Sequence, residues 1–145
     1  MGFEFETSIE IAAPAERIWA VWMDVERWPE WTASVSNAKR LDRGAFGVGS
    51  RVKIWQPKLL PAVWQVIECE PGRSFIWESK APGVRTLAAH RITVKAADPP
   101  SCTVVLTAAL TGLFAALLRS WIEKITRRYV EMEAQGLKRR CEGVG

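Results

Sequence analysis

Between Phe3 and Ile11 the chain alternates strictly. Phe3, Phe5, Thr7, Ile9 and Ile11 share one face, and Glu4, Glu6, Ser8 and Glu10 the other. A period of two over this length predicts a half-buried strand. Ala12-Ala13-Pro14 ends it, with Pro14 suited to the first helical position, and a short helix follows from about Ala15 to Met23 with Ile18, Trp19 and Trp22 inward. Asp24 is placed to cap a second short helix, Val25 to about Trp31, which Pro29 limits to a turn or two. Strand patterns then recur at Val35–Leu41, Arg51–Gln56, Val63–Glu70, Ser74–Lys80, Val84–Lys95 and Cys102–Leu110. Between them lie the glycine-bearing Asp42–Ser50 segment, a loop bracketed by Pro57 and Pro61, and the turns Pro71-Gly72, Ala81-Pro82-Gly83 and Asp98-Pro99-Pro100.

Parity assigns the faces. Val52 and Ile54 share one, as do Phe75 and Trp77, and on the long sixth strand Val84, Thr86, Ala88, His90, Ile92 and Val94. If Pro71-Gly72 is a two-residue turn, Glu68 lies opposite Phe75 and Trp64 opposite Ser79. Short connections predict a mainly antiparallel sheet.

From Gly112 to about Cys141 the period changes. Phe114, Leu118, Trp121, Ile125, Tyr129 and Met132 recur at threes and fours, with Arg119, Glu123, Thr126, Arg127 and Glu131 opposite. This predicts one long helix; roughly 28 residues span on the order of 40 Å. So long a stripe needs a broad concave partner, which a curved sheet supplies, and such a closure leaves an interior that side chains need not fill.

Composition narrows the classes. With 145 residues and 48% hydrophobic content the chain is one domain, 1–145, with a sizeable core. The net charge of +4 (20 basic against 16 acidic) is too mild and scattered for a nucleic-acid binder; the Lys138-Arg139-Arg140 run suits a last helical turn. Cys69, Cys102 and Cys141 are widely spaced and odd in number, arguing against a disulfide framework and for a reducing, cytoplasmic setting. The acidic, alternating start is neither a signal nor a transit peptide, and the longest apolar run, Leu113–Leu118, is too short for a membrane span. Eight tryptophans against one tyrosine and one histidine point to an irregular aromatic core or a wide apolar pocket.

Motif chemistry is sparse. Gly44, Gly47 and Gly49 do not match a phosphate loop, no G-x-S-x-G occurs, and one histidine with scattered cysteines provides no metal set. No cofactor is expected. His90, on the inward face, is the acid/base candidate; the alternative is a hydrogen-bonded histidine with no chemical role. Tyr129 is a candidate hydrogen-bond donor. Glu68 joins them if the hairpin register places it inside, where burial would raise its pKa; otherwise it forms a rim salt bridge. Pocket walls are expected from Val52, Ile54, Phe75, Trp77, Phe114, Trp121, Ile125 and Tyr129, with Thr86 and His90 as polar members; their alternative is plain core packing. An entrance is expected among Trp28, Trp31, Pro82 and Gly112.

The element order, with Ile9-Glu10-Ile11-Ala12-Ala13-Pro14 leading into Ile18-Trp19, the Asp24-to-Trp31 segment, the Gly47-Val48-Gly49 hairpin, Trp64-Gln65-Val66 through Glu70-Pro71-Gly72-Arg73, and the closing helix, resembles the START-like (helix-grip, SRPBCC) superfamily, including its polyketide cyclase/dehydrase and lipid-transport group. The resemblance spans nearly the whole chain. It implies an α+β fold: a seven-stranded antiparallel sheet wrapped around a long C-terminal helix, two short helices between the first two strands, and an apolar cavity between sheet and helix. Members often share no catalytic motif, so a pocket carries over and a catalytic set does not. Three functional readings follow: a carrier or sensor of a small hydrophobic ligand (lipid, polyketide or aromatic), a cyclase/dehydrase-type enzyme using the same cavity, or a protein-interaction module with an exposed apolar patch around Trp28 and Trp31. The sequence leaves the oligomeric state open.

Overall fold

The computed structural model describes residues 2–96 and 98–143. In chain order the elements are β1 (Gly2–Ile11), α1 (Ala15–Met23), a 3-10 turn (Val25–Glu30), β2 (Asn37–Arg40), β3 (Arg51–Trp55), β4 (Ala62–Glu70), β5 (Ser74–Ala81), β6 (Val84–Lys95), β7 (Ser101–Thr111), α2 (Leu113–Leu117) and α3 (Arg119–Cys141). The strands form one seven-stranded sheet in the order β1-β7-β6-β5-β4-β3-β2, with every pairing antiparallel. From β2 to β7 each strand pairs with its neighbour in sequence, as short turns demand. Only the β1–β7 pairing joins the two ends of the chain, and it places the C-terminal helix directly after a central strand. This is the α+β helix-grip arrangement.

Alternating side chains put one apolar face on the concave side of the sheet. Its rows run across the strands: Val52, Trp64, Ser79, Thr86 and Leu110 in one; Val66, Trp77, Ala88 and Ala108 in the next; Cys69, Phe75, His90 and Leu106 in a third. The core sits between these rows, α1, the 3-10 turn and the C-terminal half of α3. Trp22, Trp28, Phe75, Ile11, Ile18 and Leu137 are its largest fully buried side chains.

Three expectations require correction. First, the closing helix is interrupted. Leu118, at φ −105° and ψ 24°, separates α2 from α3, although the bonds Leu118 N–H to Phe114 O and Ile122 N–H to Leu118 O, both 2.9 Å, keep the two nearly continuous. Second, its buried line runs through Ile122, Tyr129, Ala134, Leu137 and Cys141, whereas Phe114, Leu118 and Trp121 are exposed. The spacing marked an apolar stripe correctly but not which side of it meets the sheet. Third, Glu68 is exposed and pairs with Ile76. The β4–β5 connection has three residues, Pro71-Gly72-Arg73, which puts Cys69 opposite Phe75 and turns Glu68 outward. A bulge between Val66 and Glu68 restores the two-residue register beyond it, so Trp64 does pair with Ser79.

At the 3-10 turn Asp24 makes no capping hydrogen bond; it pairs instead with Arg27 at 3.3 Å. No described helix is long and apolar enough to cross a membrane.

Candidate functional site

His90 occupies the middle of β6, on the concave face, with 3% of its surface exposed. Its ring stacks on Phe75, the cross-strand neighbour, at 4.0 Å between centroids and 5° between planes. Trp22 from α1, Trp28 from the 3-10 turn and Trp77 from β5 complete an aromatic shell, with centroids 5.4, 5.9 and 5.8 Å away. The tryptophans are thus largely spent on packing at this level of the interior.

One charged group enters the shell. Glu133 of α3 brings Oε2 to 3.3 Å from His90 Nε2, with side-chain exposures of 17% and 4%. Neither His90 Nδ1 nor Glu133 Oε2 has a hydrogen-bond partner among the described residues. Buried polar atoms are normally satisfied, so such a pair is a place where a bound molecule can supply the missing partner. Sequence reasoning missed Glu133. The signal was there: it lies four residues from both Tyr129 and Leu137, the only acidic residue in the inward line, but the line had first to be placed correctly.

A second fixed point lies further along the helix. Ile122 packs with Ala108, Leu110 and Ala115, joined by Val84 and Phe3. Between Ile122 and Glu133, α3 packs chiefly along β1 and β7, with the Arg127 guanidinium 4.9 Å from the centre of the Phe5 ring. Small residues meet here in two pairs, Ser79 with Thr86 and Ala88 with Ala108, flanked in the same rows by Leu110 and Trp77. Thr86, Ala88, Ile125 and Thr126 remain half-buried.

Beside this region a groove of about 400 Å³ opens to solvent. Pro57 and Lys58 of the β3–β4 loop form one wall; Trp121, Ile125, Tyr129 and Met132 form the other, with Lys124 and Arg128 at the rim. Tyr129 is buried, and its hydroxyl donates to the carbonyl of Pro57, tying α3 to the loop. A smaller depression of about 300 Å³ lies at Arg17, Asp24, Arg27, Trp31 and Arg140. Its arginines are engaged, with Cys141 O, Asp24 and Glu30 respectively, and the one buried polar atom it offers without a partner among the described residues is Trp31 Nε1.

The structure therefore brings Phe75, Trp77 and His90 together, with Thr86 near the small-residue region and Ile125 and Tyr129 at the groove. Val52 and Ile54 are fully packed core residues. Phe114 and Trp121 do not wall the interior: both are about half exposed, Trp121 on the groove and Phe114 against Gly83. Trp28 and Trp31, expected at an entrance or on a docking patch, are buried at 1% and 7%, because the 3-10 turn folds inward against β5 and α3. Gly112 meets the turn at Gly83, the residue after Pro82. The carbonyl of Gly83 accepts from Phe114 N–H at 2.8 Å, and Gly112, at φ +117°, approaches so closely that a Cβ there would lie 2.4 Å from Gly83 O.

Solved structures share this architecture at low sequence identity. A START superfamily protein from Mycobacterium smegmatis superposes with a TM-score of 0.79 at 17% identity, covering 99% of this chain and 100% of its own. An aromatase/cyclase from a Streptomyces species gives 0.78 at 18% identity, covering 97% and 93%. Norcoclaurine synthase from Thalictrum flavum gives 0.77 at 13% identity, covering 99% and 95%. These likenesses establish the fold. No curated protein is similar enough in sequence to count as a relative. The family model described as polyketide cyclase / dehydrase and lipid transport matches residues 2–142, and the chain belongs to that family, whose members bind hydrophobic ligands or act as polyketide cyclases.

Proposed function

We propose that the protein binds a small hydrophobic molecule carrying a hydrogen-bonding group, held between the small-residue region of the sheet and the facing stretch of α3. What supports this reading is a pair of buried polar atoms without hydrogen-bond partners among the described residues, His90 Nδ1 and Glu133 Oε2, beside the half-buried Thr86 and Ala88 on the same face of β6. The ligand's apolar body would lie over Ser79, Thr86, Ala88 and Ala108, and its polar group would reach toward His90 and Glu133. Access is proposed at the junction of the Pro82-Gly83 turn with Gly112 or through the groove beside Tyr129; each is held by few hydrogen bonds.

The test is a titration with aromatic and fatty-acid ligands, read by tryptophan fluorescence and thermal unfolding. A ligand at a hundred times its Kd adds about 2.7 kcal/mol of stability. Thr86→Phe, which fills the proposed space, should abolish the response while keeping the fold. A panel that gives no response, together with a Thr86→Phe variant destabilised by about 1–3 kcal/mol as in a filled core, would sink the reading.

The His90–Glu133 contact favours one second reading, a cyclase/dehydrase-type enzyme. There a bound carbonyl compound would lose a proton to His90, with Glu133 balancing the imidazolium that forms. The hydroxyl of Tyr129, engaged with Pro57, would have to be released before it could donate to substrate. Under this reading Glu133→Gln binds ligand normally but turns over a genuine substrate at least tenfold more slowly; unchanged turnover removes the pair from the chemistry.

A further inference from the structure

The stripe that fails to face the core has its own chemistry. Leu113 and Leu117 are each 67% exposed, Leu118 and Trp121 51%, and Phe114 47%. At spacings of four, Leu113, Leu117 and Trp121 form one row, and Phe114 and Leu118 the next. Across the groove, two residues beyond Lys58, Leu60 is 88% exposed. A folded chain seldom leaves so many large apolar side chains together in water without a use for them.

The charges around this face share one sign. Lys58, Lys124 and Arg128 line the groove beside Trp121 and make no ion pair among the described residues. Glu123, the acidic residue nearest in sequence, lies about 200° round the helix from Trp121, where it is held by Arg119 and Arg127. Glu131 follows ten residues after Trp121, about 15 Å further along the axis.

We propose that this face docks on an anionic lipid bilayer, with Leu60, Leu113, Leu117 and Trp121 entering the interfacial layer and Lys58, Lys124 and Arg128 at the level of the phosphates. Two features select this occupant. A second copy of the chain, docking face to face, would bring Lys58, Lys124 and Arg128 against their own kind. A peptide would seat in the groove beside Trp121, which leaves the outward-projecting Leu60, Leu113 and Leu117, none of them in the groove's lining, uncovered. Projecting leucines, a tryptophan and flanking cations match an interface between hydrocarbon and charged headgroups. The inference stands whether or not the interior holds a ligand.

The test is co-sedimentation of the full chain with vesicles of phosphatidylcholine alone and of an equimolar mixture with phosphatidylglycerol. Binding is expected to the mixed vesicles, to weaken as salt rises, and to be slight on phosphatidylcholine. Lys124→Glu with Arg128→Glu should lower the partition at least 25-fold, about fivefold for each cation removed. Leu113→Ser with Leu117→Ser should lower it at least tenfold. These positions are exposed, so thermal unfolding should stay within a few degrees of the parent and separate lost docking from lost folding. The proposal is overturned if the parent ignores anionic vesicles, if either double variant binds as the parent does, or if sedimentation equilibrium shows a dimer that Leu113→Ser with Leu117→Ser dissociates.

Discussion

Glu133 reaches from α3 to within 3.3 Å of His90 on β6, the contact that pins the middle of the helix to the middle of the sheet. Because the histidine is stacked on Phe75 and enclosed by three tryptophans, removing either partner takes away the nearest polar neighbour the other has in an apolar shell. His90→Phe and Glu133→Leu are each expected to destabilise by about 2–3 kcal/mol. The double variant should lose less than the sum, with a coupling of about 1 kcal/mol or more. Urea unfolding of the four proteins measures this; strict additivity would mean that the two side chains are neighbours without interaction.

Gly136 lies in the second half of α3, where intrinsic preference favours alanine by about 1 kcal/mol. Packing says the opposite. A Cβ at this position would lie 1.9 Å from Trp31 O, on the segment that closes the aromatic shell. Gly136→Ala is expected to be destabilising on balance, by about 1–2 kcal/mol, as the helix is pushed off that segment. Thermal unfolding should show a drop of about 3–8 °C; a rise would mean that propensity decides.

Gly112→Ala combines a left-handed backbone with a Cβ set against Gly83 O. The expected outcome is local: the Phe114 and Ala115 amides exchange faster with solvent as their bonds to Gly83 O loosen, while β7 amides keep their protection. Ligand association and dissociation should both accelerate if this junction is the route of access. Hydrogen exchange resolved by residue and stopped-flow fluorescence check the two statements separately.

Acid should loosen the end of the helix. The Ala12 amide and Lys138 Nζ both donate to Glu142 Oε2, at 2.9 and 2.7 Å, and hold this carboxyl below its ordinary value of 4.5. A carboxyl with a lowered folded-state pKa contributes stability that is complete above its unfolded value and lost as pH falls through the folded value. Between about pH 5 and 3, Glu142→Gln should therefore show a shallower fall in Tm than the parent. Parallel curves would show that the two bonds contribute nothing to pH-dependent stability.

Strand positions and faces were legible because a two-residue period leaves little freedom once one face is apolar. Phe75, Trp77, Thr86 and His90 sit where their parity put them. The helix was legible as an element but not in its orientation: an apolar stripe records that something covers that face, and at Phe114, Leu118 and Trp121 the cover is not the sheet. Glu133 stayed hidden because its place depended on that orientation. Glu68 was misplaced by a single turn residue, Arg73, whose inclusion reverses the facing of the strand end. Trp28 and Trp31 looked superficial because Pro29 rules out a long helix, yet one 3-10 turn suffices to carry both into the core.

The order of the sheet has one last consequence, for crowding. Because the sheet is open rather than closed into a barrel, β1 and β2 are terminal strands, each a possible template for a strand of another molecule. At one end β2 offers only Asn37–Arg40, ending in Lys39 and Arg40. At the other, β1 is ten residues long, but α3 packs along it, Lys138 donates to Glu10 O, and its outward side chains include Glu4, Glu6 and Glu10. One edge is thus too short and too cationic, the other too guarded and too acidic, for sheets to grow from molecule to molecule. The chain can be concentrated, or gathered on a surface, without polymerising through its strands.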